Sequence, residues 1–207
     1  MHDHEHGVHA AQTETTSPHE LRVRAIITLL MDKGLLSAEE LRRTIEDMEA
    51  RTPALGAKVV ARAWVDPAFK ARLLADAKAA IAELGIDTSA FITLKVVENT
   101  EKVHNVVVCT LCSCYPRDLL GVPPAWYKSL NYRARVVVDP RGVLKEFGLE
   151  LAPDVEVRVY DSTADVRYLV LPQRPPGSEG LSEEALASLV TRDSMIGVAR
   201  ARTPAAD

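Results

Sequence analysis

All three cysteines of the chain lie within one short stretch, Cys109 to Cys114, in the segment VCTLCSCYP. The segment directly follows the β-branched run HNVVV, and Pro116 prevents a regular continuation of the backbone. We therefore predict that a strand ends here and opens into a loop that carries three thiols. An odd number of closely grouped cysteines argues against a disulfide framework and favours metal or redox chemistry.

The tripeptide Cys112-Ser113-Cys114 offers several donor atoms to one metal ion. The two sulfurs and the main-chain nitrogens of Ser113 and Cys114 can close fused chelate rings around a planar set of two nitrogens and two sulfurs. Cys109 can then place a thiolate beneath that plane and leave a sixth position open. Amidate and thiolate donors favour a low-spin trivalent ion such as Co(III) or Fe(III), whereas zinc prefers four tetrahedral side chains.

Two alternatives stay open on the chemistry of the residues alone. The three cysteines and His104, which precedes Cys109 on the predicted strand, would together make a Cys3His zinc site. A single residue between Cys112 and Cys114 is poor spacing for such a site. The other alternative is a group of buried and inert thiols.

Residues 1–16 are polar and predict a disordered tail. This tail is rich in histidine, with His2, His4, His6 and His9. A loosely bound soft metal is conceivable there, but a solvated tail or a cloning remnant accounts for the pattern better. We assign these histidines no role.

Residues 17–52 predict two helices that form an N-terminal arm. Ser17 with Glu20, and Ser37 with Glu40, make a capping box at the start of each helix. Their apolar stripes are too small for a core of their own and must dock on another surface. We expect the arm to pack on a partner subunit, although a helical hairpin folded onto its own domain satisfies the same periodicity.

Residues 53–207 are expected to form a metal-binding domain of mixed α and β structure. The segment LGAKVVARAWV predicts one helix, and AFKARLLADAKAAIAEL predicts a second between Asp66-Pro67 and Gly85. Four β-branched segments then predict strands: TLKVVEN, VHNVVVCTL, VEVRVYDS and VRYLVLPQ. Helices fill the gaps, including one after Pro140 and one capped by Ser182.

Charge and hydropathy exclude some classes of partner. The chain has 29 acidic and 25 basic residues, so we expect no basic face for nucleic acid. No apolar run is long enough to span a bilayer, and the N-terminus lacks the basic and apolar regions of a secretory signal. We expect a cytoplasmic protein with no membrane partner.

The segment VCTLCSCYP resembles the metal-binding segment of the nitrile hydratase α subunit. The resemblance extends to LGAKVVARAWVDPAFKARLLADA, to PPAWYKSLNYRARVVVDPRGVLKEFG and to LVTRDSMIGV, and so covers nearly the whole chain after the tail. We expect an α+β fold, in which the helical arm is followed by a layered α-β-β-α globular domain that is catalytic.

The resemblance implies a lyase that hydrates a small-molecule nitrile to the corresponding amide, with the bound ion acting as a Lewis acid. Thr110, where iron-dependent members carry serine, points to cobalt, as one Co(III) per chain, with Fe(III) as the alternative. The implied ligands are the sulfurs of Cys109, Cys112 and Cys114 and the main-chain nitrogens of Ser113 and Cys114.

The resemblance further implies that Cys112 is oxidised to a sulfinate and Cys114 to a sulfenate, while Cys109 remains a thiolate. The catalytic residues would be Cys112, Ser113 and Cys114, and either the sulfenate oxygen or an activated water would attack the nitrile. A separate β subunit would supply the arginines that hold the sulfur oxygens, in a hetero-oligomer. A cobalt-delivery or activator protein is a further expected partner.

Two positions depart from the family pattern near the expected substrate pocket. Arg117 follows CSCYP where nitrile hydratases usually carry tryptophan, and Ala90 or a neighbour replaces a pocket glutamine. Arginine also follows CSCYP in the γ subunit of thiocyanate hydrolase, which converts thiocyanate to carbonyl sulfide and ammonia. A thiocyanate hydrolase subunit is therefore one alternative function, and a non-catalytic zinc-binding subunit is another.

Overall fold

The computed structural model describes residues 17–89 and 93–205. The chain divides into two compact units, residues 1–46 and 47–207, and the boundary falls inside the second helix. The predicted histidine-rich tail, residues 1–16, lies outside the described residues.

The described chain begins with two helices, α1 (Pro18–Asp32) and α2 (Ala38–Ala50). Both predicted capping boxes lie at the start of a helix, and the reciprocal pair of hydrogen bonds is present at the second. The Ser17 side chain accepts a hydrogen bond from the Glu20 backbone N–H at 3.2 Å. Ser37 accepts from the Glu40 N–H at 3.1 Å, and the Glu40 carboxylate accepts from the Ser37 N–H at 2.9 Å. These bonds satisfy donors that a helix start would otherwise leave unpaired.

Many apolar side chains of α1 and α2 are open to solvent in this chain. Neither helix contains a buried residue. Leu21, Ile26 and Leu29 are each more than half exposed. Packing of this arm on a partner subunit, expected from the sequence, stays a prediction.

Three further helices follow, α3 (Pro53–Val65), α4 (Pro67–Ala75) and α5 (Ala77–Ala82). The prediction of a single helix after Asp66-Pro67 is wrong, because the helix is interrupted at Asp76. That residue adopts an extended conformation, and its carboxylate accepts a hydrogen bond from the Ala79 N–H at 3.2 Å, so it caps a new helix. Asp66 caps α4 in the same way, at 2.9 Å from the Phe69 nitrogen.

All four predicted strands are present, as β1 (Thr93–Glu98), β2 (Val103–Val108), β3 (Glu156–Asp161) and β4 (Val166–Leu171). They form two parallel pairs, β1 with β4 and β2 with β3. In the second pair Val108 lies opposite Asp161, the last residue of each strand. Burial differs between the strands: β2 is buried over almost its whole length, whereas β3, its partner, contains no buried residue.

Short helices surround these strands: α6 (Arg117–Leu120), α7 (Ala125–Lys128), α8 (Leu130–Arg135), α9 (Pro140–Glu146), α10 (Glu183–Leu189) and α11 (Arg192–Ile196). The helices predicted after Pro140 and Ser182 are confirmed as α9 and α10. Helices and strands share one core, in which side chains such as Leu144 and Leu169 are fully buried. Each such side chain contributes about 1.5–3 kcal/mol to the free energy of unfolding.

The α+β fold class predicted from the sequence is confirmed by this mixture of helices and strands. Among the described residues, no helix is both long and apolar enough to cross a membrane.

Candidate metal centre

The three cysteines lie in one loop, residues 109–116, which we call the cysteine loop. It begins where β2 ends at Val108, as the sequence predicted, and it stops where α6 begins at Arg117. Cys109 is buried, Cys114 is half-buried and Cys112 is exposed. The loop therefore carries one buried thiol directly after the strand and two more accessible thiols beyond it.

The three sulfur atoms stand close enough to share one ion. The Cys112 sulfur lies 3.4 Å from the Cys109 sulfur and 3.3 Å from the Cys114 sulfur. All three Sγ atoms lie within 4.8 Å of one another. The structure thus brings together the three cysteines that the sequence analysis proposed as ligands.

These distances favour one coordination geometry over another. Sulfurs bound about 2.3 Å from one ion stand roughly 3.8 Å apart at tetrahedral angles and roughly 3.3 Å apart at right angles. The two distances at Cys112 match the right-angle value. Thiolate donors with main-chain amides beside them suit a square or octahedral ion, whereas zinc prefers four tetrahedral side chains.

His104 is not part of this group, so the Cys3His zinc alternative is wrong for the described residues. His104 sits near the start of β2, whereas the thiols follow its end. Its Nε2 lies 2.7 Å from the Gly197 carbonyl oxygen, and its Nδ1 lies 3.3 Å from the Asn99 side-chain nitrogen. Both ring nitrogens thus have partners away from the thiols, and burial lowers the pKa of this imidazole.

Asp161 holds the start of the cysteine loop. Its carboxylate accepts from the Thr110 N–H at 2.9 Å and from the Thr110 hydroxyl at 2.5 Å. Asp161 reaches this position because it pairs with Val108 in the β2–β3 register, directly before Cys109. The side chain thereby continues the strand pairing into the loop.

Arg133 holds the same part of the loop from the other side. Its Nε donates to the Cys109 carbonyl at 3.0 Å, and its Nη2 donates to the Thr110 carbonyl at 2.7 Å. Arg133 lies on α8, about two dozen residues further along the chain. No local pattern in the sequence marks it as a neighbour of the cysteines.

Buried tyrosines hold the strand end and the far end of the loop. The Tyr132 hydroxyl donates to the Val107 carbonyl at 2.7 Å, and the Tyr127 hydroxyl donates to the Cys114 carbonyl at 2.8 Å. Burial raises the pKa of both phenols, so they remain protonated donors at neutral pH. Trp126 and Phe147 pack edge-on against Tyr132. These tyrosines were also missed in the sequence, because their partners are backbone carbonyls.

The thiols differ in acidity when no metal is bound. Hydrogen bonds from Cys114 and then Cys109 stabilise the Cys112 thiolate and lower its pKa to about 7. Burial and the hydrogen bond with Cys112 raise the pKa of Cys114 to about 12, and the positive charge of Arg167 offsets part of that rise. The exposed Cys112 is therefore the first of the two to ionise.

The predicted pocket residues are only partly described. Arg117 is exposed and is the first residue of α6. Ala90 lies outside the described residues. Ser113 is half-buried between the two cysteines that flank it, and Leu111, in the same loop, is 85% exposed. The outer face of the cysteine loop is thus uncovered by the described part of this chain.

The amino-acid sequence of the chain is similar to those of known proteins. Residues 17–199 match a family described as nitrile hydratase, alpha chain. The low-molecular weight cobalt-containing nitrile hydratase subunit alpha of Rhodococcus rhodochrous is 56% identical over 184 residues, which are 88% of this chain and 89% of the relative. The thiocyanate hydrolase subunit gamma of Thiobacillus thioparus is 42% identical over 201 residues, with 92% and 83% covered.

A solved structure is similar in fold as well. A double mutant of the Fe-type nitrile hydratase from Comamonas testosteroni Ni1 superposes with a TM-score of 0.85 and 45% sequence identity. The match covers 90% of this chain and 91% of that chain. The similarity in fold therefore extends over most of the chain.

Proposed function

The chain belongs to the nitrile hydratase alpha-chain family, and on that premise we propose that it is the metal-carrying subunit of a nitrile hydratase, which hydrates a nitrile to the amide. The observation that carries the proposal is the grouping of Cys109, Cys112 and Cys114 within 4.8 Å. This donor set needs neither a histidine nor a carboxylate, which separates it from ordinary hydrolytic zinc sites.

We propose cobalt, as Co(III), for the ion. Cobalt is supported by a relative that is 56% identical and named as cobalt-containing, and the trivalent state by the strong donors that thiolates and amidates provide. The ligands would be the sulfurs of Cys109, Cys112 and Cys114 and the main-chain nitrogens of Ser113 and Cys114. A bound ion of this kind would supply Lewis acidity toward a nitrile.

The residues of this chain have distinct tasks in that reaction. Cys109 is buried and would remain a thiolate, because its surroundings exclude oxidants and solvent. Cys112 and Cys114 are more accessible, and we propose that an external oxidant such as dissolved dioxygen converts them to sulfinate and sulfenate, by loss of four and two electrons respectively. The Cys114 oxygen would then be a nucleophile held in place, with Tyr127 fixing the carbonyl of the same residue at 2.8 Å.

The outer face of the cysteine loop is available for another subunit to cover, since Leu111 is 85% exposed and Cys112 is exposed. We propose that a nitrile hydratase β subunit provides that cover and the cations that hold the sulfur oxygens. Within this chain, the positive charge of Arg167 lowers the pKa of the Cys114 thiol and offsets part of the rise caused by burial.

Thiocyanate hydrolysis is the second candidate function. It is favoured by the 42% identity with a thiocyanate hydrolase subunit gamma, and by Arg117, an exposed cation directly after the cysteine loop. A positive charge near the entrance would attract an anionic substrate.

A paired assay tests the proposal. The complex with its partner subunit, produced with cobalt, is given a panel of aliphatic and heteroaromatic nitriles and, separately, thiocyanate. We expect amide as the main product and about one cobalt per chain. Carbonyl sulfide as the main product would make the second candidate correct, and stoichiometric zinc without turnover would contradict both enzymes.

A further inference from the structure

The peptide between Cys109 and Thr110 is held from two sides by residues of two separate elements. On one side, Arg133 donates to the carbonyls of Cys109 and Thr110. On the other, the Asp161 carboxylate accepts from the N–H and the hydroxyl of Thr110. We propose that Arg133 and Asp161 are positioning residues that clamp Thr110 and thereby fix the buried Cys109 sulfur relative to the two outer thiols.

The clamp engages every polar group of Thr110. Its N–H, hydroxyl and carbonyl each have one charged partner, at 2.9, 2.5 and 2.7 Å respectively. Hydrogen bonds to charged groups are about twice as strong as neutral ones. A loop residue that is half-buried and bound at three atoms cannot rotate without breaking several such bonds together.

Rigid structure stands behind each half of the clamp. Asp161 ends β3 opposite Val108, and the next residue donates its N–H to the Val108 carbonyl at 2.7 Å. Arg133 lies on α8, where the neighbouring Tyr132 is buried and bonded to the carbonyl of Val107. The clamp therefore transmits the position of the strand pair and of α8 to the first ligand of the loop.

The arginine side of the clamp depends on a planar fork. Nε and Nη2 of one guanidinium reach two successive carbonyls, which a shorter neutral side chain cannot do. Arg135 lies on the same helix but pairs with Glu146, and both side chains are substantially exposed. Arg135 is therefore a matched control for loss of an arginine from α8.

The link to the metal rests on the proposed function. Cys109 would be the buried thiolate of the ligand set, and its backbone carbonyl accepts from Arg133 of the clamp. Without the clamp the Cys109 sulfur would sample more positions, and the bound ion would be released faster. Loss of residues that orient ligands typically changes metal affinity about 10–100-fold.

The first experiment needs no metal. Amide hydrogen exchange is measured at Thr110 in the complex produced without cobalt, for wild type, Arg133→Gln and Arg135→Gln. We expect slow exchange in wild type and Arg135→Gln, and exchange at least about tenfold faster in Arg133→Gln. Fast exchange at Thr110 in wild type would overturn the clamp, whatever metal the protein binds.

The second experiment follows cobalt release into excess chelator, with the sulfur-to-metal absorption band as a separate signature. We expect Arg133→Gln to lose cobalt at least about tenfold faster than Arg135→Gln and to shift the band, at similar thermal stability. Equal release rates and an unchanged band would refute the role. If Arg133→Gln does not assemble, cobalt release is compared between Thr110→Val and Thr110→Ser. We expect faster release in Thr110→Val, because only serine keeps the hydroxyl that Asp161 binds.

The two experiments separate this inference from the proposed function. A wild-type complex that takes up no cobalt when it is produced with cobalt contradicts the proposed function. Slow exchange at Thr110 that depends on Arg133 still supports the clamp in that case. If the enzyme binds cobalt but Arg133→Gln changes neither the exchange rate of the Thr110 amide nor the rate of cobalt release, the clamp alone is contradicted.

Discussion

The Tyr127 hydroxyl donates a hydrogen bond to the Cys114 carbonyl oxygen at 2.8 Å, from a side chain that is fully buried. This bond ties the last cysteine to α7 and to the aromatic residues around it. Tyr115, the residue after Cys114, packs edge-on against the same ring, with centroids 5.1 Å apart. The far end of the cysteine loop is therefore held by the core, as the near end is held by Arg133 and Asp161.

Replacing Tyr127 by phenylalanine should loosen this end of the loop. The change leaves the Cys114 carbonyl without its partner, at a cost of about 1–3 kcal/mol. We expect the melting temperature of the complex to fall by about 2–4 °C per kcal/mol, with a lower cobalt content. Ser178→Ala is the matched control, because it removes a buried hydroxyl that donates to a backbone carbonyl, that of Pro175, away from the cysteine loop. Cobalt content lowered equally by both variants would show that Tyr127 acts through stability alone.

The features that the sequence predicts well are those set by neighbouring residues. The caps at Ser17 and Ser37 join residues three apart, so their pattern is visible in the sequence. The three cysteines group in space because they already lie together in the chain. The strands are recognisable from β-branched runs, although the segment VHNVVVCTL reaches Leu111 and the observed strand already ends at Val108.

The features that the sequence does not predict depend on distant partners or on a local competition. Arg133 and Asp161 meet at Thr110 only after α8 and the β2–β3 pair have formed, so their spacing in the chain carries no signal. The break at Asp76 reflects a choice between continuing a helix and capping a new one. An aspartate is compatible with both, and helical periodicity alone does not decide between them.

The metal-free protein should show one thiol that reacts at unusually low pH. The pKa of Cys112 is lowered to about 7, so its thiolate forms as the pH rises through 7, whereas Cys114, with a pKa raised to about 12, stays protonated. We expect iodoacetamide to label Cys112 first, with a rate that is half-maximal near pH 7. Mass spectrometry of the loop peptide over a pH series measures this. Labelling that begins on Cys114 would contradict the assignment.

Active enzyme should carry three additional oxygen atoms on the cysteine loop. We expect two on Cys112 and one on Cys114, and none on the buried Cys109. Mass spectrometry of the peptide from fully active complex tests this, because each oxygen adds a fixed mass to one residue. If the Cys114 sulfenate is the nucleophile, Cys114→Ser should reduce kcat more than Cys112→Ser. Full activity with reduced cysteines would refute the oxidation.

Metal content should depend on Cys109 and not on His104. Cys109→Ser replaces a soft thiolate by a harder and poorer donor, so we expect loss of cobalt, of the near-ultraviolet charge-transfer band and of activity. His104→Gln keeps a donor for the Gly197 carbonyl and removes the imidazole, and we expect it to retain cobalt. Elemental analysis and absorption spectra of both complexes provide the measurement. Loss of metal in His104→Gln alone would restore a histidine-containing site.

Arg117 should separate the two candidate enzymes. It is exposed at the start of α6, directly after the cysteine loop, where a guanidinium would draw anions toward the site. In a thiocyanate hydrolase, Arg117→Trp should raise KM for thiocyanate, and the wild-type KM should depend strongly on ionic strength. In a nitrile hydratase, which we propose, the tryptophan should change the shape of the entrance and shift preference toward smaller nitriles. Two measurements on wild type and Arg117→Trp decide between the enzymes. One is the KM for thiocyanate at low and high salt, and the other is the kcat/KM ratio between a heteroaromatic and a small aliphatic nitrile. A ratio that does not change in Arg117→Trp would show that Arg117 lies away from the path of the substrate.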